Sequence, residues 1–205
     1  MTDSTTDVAE PASPQAAARR LERVTFDYSA TQDRLLARMQ ASDGERHAAW
    51  LTQRLARRLV KALLSHLDKT VTAEQAVASA PAAGNGSSTS GPGPKEMLLS
   101  FRHQAALMKR EPAPPVAEVD TRDLPLLESI HARLTQRRAL LTMELPVGPA
   151  VLSLSHDHAW QLLQILLNIF RKADWPVDVW PAWMRDGDTA AASAAQRRGS
   201  LRSGS

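Results

Sequence analysis

Val24, Phe26 and Tyr28 alternate with Thr25, Asp27 and Ser29, the period of two that turns one set of side chains to a buried sheet face and the other to water. The alternation recurs in Leu35, Ala37 and Met39. It recurs again in His47, Ala49 and Leu51 after Asp43-Gly44, a pair suited to the positive backbone angles of a tight hairpin. Order is expected to begin near Leu21 with these three strands. Thr52 can then accept hydrogen bonds from the free amides of a helix start, and Leu55, Leu59, Val60, Leu63, Leu64 and Leu67 follow on one helical stripe.

The pattern then repeats. Ile130, Ala132 and Leu134 alternate, then Ala139, Leu141, Met143 and Leu145, then Ala150, Leu152 and Leu154, before a helix capped by Ser155. A shift of 104 residues lays Thr31-Gln32 over Thr135-Gln136, and a shift of 103 lays Leu59, Val60, Leu63, Leu64 and Leu67 over Leu162, Leu163, Leu166, Leu167 and Phe170. Agreement in strand order, cap and helical phase predicts an internal duplication. The expected fold is α+β, with two tandem β-β-β-α units whose antiparallel sheets bury one face under the helices.

Between the units, residues 70–94 turn to Ala, Gly, Ser, Thr and Pro, a composition that predicts a disordered linker. The expected organisation is a disordered tail over 1–20, a first unit over 21–69 and that linker. A short amphipathic helix over 95–110 follows, carrying Leu98, Phe101, Ala105 and Met108 on one face, then a Pro-rich linker over 111–125. The second unit spans 126–173, a Trp-Pro docking segment 174–184 and a disordered tail 185–205.

Composition narrows the chemistry. The chain has no cysteine, which removes disulfides, thiolate nucleophiles and Cys-ligated metals. No phosphate-cradling glycine loop, nucleophile elbow or metalloprotease helix motif occurs, so no catalytic residue and no cofactor are predicted, and a non-enzymatic role is expected. His156-Asp157-His158 has metal-ligand chemistry, but residues two apart on a helix diverge, and Ser155 with Asp157 is what a helix start uses to satisfy amides and its dipole; no metal site is expected. Ala, Arg and Leu richness suggests a GC-rich bacterial genome. The polar amino-terminal stretch has no apolar signal-peptide core, and the apolar run 159–170 is short and broken by Gln161, Gln164 and Asn168. A cytoplasmic location without membrane insertion follows as the expectation.

Two surfaces remain. The second helix adds Trp160, Ile165 and Ile169 to its stripe, and Trp175, Trp180 and Trp183 follow in a Pro-interrupted segment. These six residues are the expected protein interface, toward a partner or a second copy, because surplus apolar surface and indole anchors mark contacts. The short helix could instead cover that face, and the tryptophans could clamp their own domain. The first helix carries Arg54, Arg57, Arg58 and Lys61 opposite its stripe, near Arg34 and Arg38, a set able to track phosphates. The repeated strands-then-helix unit resembles in topology the PUR-repeat and Whirly families, a likeness that implies single-stranded nucleic-acid binding. This sequence departs from them in having three strands per unit, not four, and shares no motif with them. The net charge of +3 demands no polyanion. The favoured expectation is therefore a non-catalytic interaction, assembly or adaptor protein, and the alternative a sequence-tolerant single-strand binder.

Overall fold

Each alternating stretch becomes a strand in the computed structural model, which describes residues 18–78, 93–111, 113–135 and 138–186. The tails and the centre of the linker lie outside those residues. The strands are β1 (Arg19–Ser29), β2 (Arg34–Ala41), β3 (Arg46–Leu51), β4 (Ile130–Leu134), β5 (Arg138–Leu145) and β6 (Gly148–Ser155); the helices are α1 (Gln53–Ala78), α2 (Pro94–Met108) and α3 (His156–Lys172). A further helical turn occupies residues 182–186. None of the described helices is long and apolar enough to cross a membrane.

The six strands form one sheet in the order β3-β2-β1-β6-β5-β4. It is mixed and not wholly antiparallel, because two antiparallel meanders are joined by a parallel contact of Arg19–Leu21 with Ala150–Leu152. The sheet curls until its far edges approach. The β3 edge is met by the lead-in to β4, where the Trp50 amide donates to Pro125 O and the Leu127 amide to Trp50 O, each at 2.8 Å.

Leu21 and Val24 both face the interior although they are an odd three positions apart, because an extra residue bulges out of β1 between Leu21 and Arg23 and resets the alternation. The opposing meander buries Ala139, Leu141, Met143, Leu152 and Leu154, and the stripes of α1 and α3 fill the interior. Gly44, at φ 90°, makes the β2–β3 turn that a side chain would strain.

Two expected linkers are corrected. Helix α1 does not stop near residue 69 but runs to Ala78, because Val71, only 1 % exposed, continues the buried row of Leu63 and Leu67. Residues 113–127 form an ordered strap across the outer face of the first meander: Arg23 donates to Pro114 O, the Val116 amide donates to Thr25 Oγ1, and buried Val116 and Trp50 lie on that outer side. Prolines suit it, since it makes few backbone hydrogen bonds of its own.

Candidate functional site

The tryptophan segment is held by its own domain. After the α3 cap at Ala173, Asp174 takes a left-handed conformation at φ 55° and reverses the chain, returning the Trp175 amide to Phe170 O at 2.9 Å. Trp175 then meets Phe170 and Tyr28 edge-on, at centroid distances of 5.0 and 5.6 Å, and its Nε1 donates to Asp33 Oδ1 at 2.9 Å. Asp33 also accepts from the Tyr28 hydroxyl at 2.9 Å, and this bond, more than desolvation or charge, raises the Tyr28 phenol above its ordinary value. Trp180, 2 % exposed, lies edge-on to Phe170 at 4.8 Å. Trp183 joins Trp160 and His103 in a cluster with centroids 5.6 to 6.0 Å apart.

Arg57 fastens the segment from the α1 side. It donates to both carboxylate oxygens of Asp178, at 2.6 and 2.7 Å, and to Pro176 O at 3.1 Å. Those bonds hold the guanidinium above and the Asp178 carboxyl below their ordinary values. Of the six expected interface residues, Trp160, Ile169, Trp175 and Trp180 are buried within the chain, and Ile165 and Trp183 are half-buried.

Helix α2 docks on α3, but through a different face from the expected one. Leu99, His103 and Ala106 are buried, and Ala106 O accepts from Gln161 Nε2 at 2.8 Å. His103 packs against two indoles at tilted and edge-on angles and Ala106 permits close approach, so this face wins over the row with more apolar residues. Phe101 and Met108 are consequently left outside, 68 % and 89 % exposed, beside Met97 at 61 %. These three lie at i, i+4 and i+11, one stripe along an anchored helix.

The basic residues do not converge on one surface. Arg38 is ion-paired with Asp27 on the outer sheet face, Arg34 is half-buried on the same strand, and Arg57 is committed to Asp178. Arg54, Arg58 and Lys61 remain exposed as one row on α1. The sheet aromatics that could stack bases are turned away: Phe26 and Tyr28 pack toward the core, and Trp50 lies under the strap at 8 % exposure.

His66 of α1 and His156 at the start of α3 face each other, with centroids 5.4 Å apart. Both Nε2 atoms are buried without a hydrogen-bond partner among the described residues. His156 and Asp157 thus part company: Ser155 Oγ caps the helix by accepting from the His158 amide at 3.2 Å, and Asp157 pairs with Lys109. No group of three or more potential metal-ligating side chains occurs among the described residues.

One opening was invisible in the sequence. Past Leu21 and Leu152 the parallel strands β1 and β6 part, leaving between them a cavity of about 420 Å³ reaching to α3. Strand neighbours far apart in sequence create it, and no local pattern announces such a gap. No protein family, curated protein or solved structure matches the chain.

Proposed function

We propose that this chain is a non-catalytic assembly protein of the bacterial cytoplasm that associates with a second copy of itself through the outer stripe of α2. One observation carries the reading: Met97, Phe101 and Met108 are exposed along a helix whose opposite face is already docked. Exposed large apolar side chains in a row mark contacts, whereas scattered ones do not. The stripe spans roughly 17 Å at the α-helical rise. Laid antiparallel against its twin, it sets exposed Glu96 of one copy near exposed Arg110 of the other, a self-complementary arrangement as a twofold contact requires. The tryptophans serve this reading indirectly, by fixing α2 to α3.

Sedimentation velocity of the full chain over a concentration series tests it. The expected result is a reversible dimer that Phe101→Glu abolishes with an unchanged circular dichroism spectrum. A monomer at every concentration, or a dimer indifferent to that substitution, would overturn it.

We also propose that the two halves arose by duplication. The element order β-β-β-α occurs twice. The seams support the idea: β1 meets β6 in parallel at one, and the lead-in to β4 meets Trp50 of β3 in parallel at the other. A first-strand side meeting a third strand at both seams is the arrangement a twofold pair makes.

A second reading, single-strand binding, rests on the exposed row Arg54, Arg58 and Lys61. The sheet aromatics are turned away from this row, so phosphate attraction would carry it, and salt would remove it steeply.

A further inference from the structure

Among the described residues, β1 from Arg23 to Ser29 pairs only with β2, and β6 from Ser153 to Ser155 pairs only with β5. In an antiparallel pair every second residue turns its N–H and C=O away from its neighbour. Two half-occupied strand edges therefore face one another across the cavity. Val24 and Phe26 of β1 with Leu162 and Ile165 of α3 give it an apolar floor, and Arg110, His158 and the strap's Ala113, Pro114 and Pro115 also line it. Val24, Phe26 and Ile165 are only half-buried, so the floor has apolar surface still to lose.

We propose that this cleft is a strand-acceptor site, taking an extended segment of a partner protein with large apolar side chains at alternate positions. An extended polypeptide answers both demands together. Its backbone donors and acceptors meet the open edges, and every second side chain points to the floor. A fatty acid or similar amphiphile would cover the floor and leave the edges unanswered. The segments 1–17, 79–92 and 187–205 of this sequence hold no alternating run of large apolar residues, so the commitment is to another protein. The site does not depend on the α2 stripe, although Arg110 borders both.

The probe is a labelled, end-blocked octapeptide of alternating Val and Thr, titrated into the full chain and followed by fluorescence anisotropy. Three controls accompany it: the same peptide N-methylated at its odd or its even residues, and a block-ordered peptide of equal composition. Saturable binding is expected, weakened at least about tenfold by N-methylation in one register or both, since several backbone hydrogen bonds are lost at once. The block-ordered peptide should bind more weakly. Ile165→Asp should abolish binding, and Phe26→Lys serves the same purpose should Ile165→Asp fail to fold by circular dichroism; Phe101→Glu should leave it unchanged. Absence of saturable binding, equal binding of the N-methylated peptides, or binding of decanoate with none of peptide would each overturn the proposal.

Discussion

Replacing Asp33 by Asn, Gly and Ala separates the contributions that this turn residue makes to holding the tryptophan segment. Asp33 sits at φ 47° and accepts from Trp175 Nε1 and from the Tyr28 hydroxyl. An amide oxygen can still accept from both donors and Asn tolerates the left-handed region, so Asp33→Asn should cost least. Asp33→Gly keeps the conformation but leaves the largely buried indole N–H without its acceptor, a loss of about 1–3 kcal/mol. Asp33→Ala adds the left-handed penalty of a Cβ, about 1–2 kcal/mol. The order Asn, Gly, Ala should therefore appear in urea midpoints, and in melting temperatures at roughly 3 °C per kcal/mol for a domain this size. Asp33→Gly and Asp33→Ala should also let the Tyr28 phenol titrate nearer its ordinary value, because the hydrogen bond that chiefly raises it is gone. Equal stability of the Gly and Ala variants would refute the backbone argument, and an Asn variant as damaged as Ala would show that charge, not acceptor geometry, holds the indole.

Trp180→Ala should cost about 3–5 kcal/mol by opening a cavity against Phe170, whereas Trp180→Phe should cost much less, because the indole N–H is buried without an acceptor among the described residues; chemical denaturation distinguishes them. His66 is held below the ordinary imidazole value of 6.5, first by burial and then by His156 and Lys69. Below that pH the unfolded chain takes up the proton more readily, so stability should be complete above about 6.5 and decline as pH falls, with His66→Gln flattening the decline in urea midpoints. Single-stranded oligonucleotide retention, if seen at low salt, should vanish at physiological salt and on reversing Arg54 and Arg58; retention that survives salt would revive the nucleic-acid reading.

Period-two alternation was a sufficient guide to the strands, because each meander is closed by short turns and needs only local sequence. It failed at Leu21, where the bulge offsets the count, and at the end of α1, where Val71 is one apolar residue among Thr and Ala and composition outweighs a single buried contact. The join between the meanders was hidden, since strands distant in sequence share only three residue pairs. The face of α2 misled for a different reason: counting apolar residues favours the row with Phe101 and Met108, while the docking is decided by a histidine that packs against indoles. The aromatic cluster of Trp175, Trp180 and Trp183 is visible in the sequence, but its partners are not. Trp175 and Asp33 lie 142 residues apart, and no spacing rule connects them.

The two seams have a consequence for hydrogen exchange. Within a meander each strand is paired along most of its length, whereas among the described residues the backbones of the two halves pair only around Arg19–Leu21 and Trp50. Amide protons at these positions should exchange by a local parting of the halves that leaves both hairpin sets intact, ahead of the slow protons of β2 and β5. A cut between α1 and α2 should for the same reason yield two fragments that recombine when mixed.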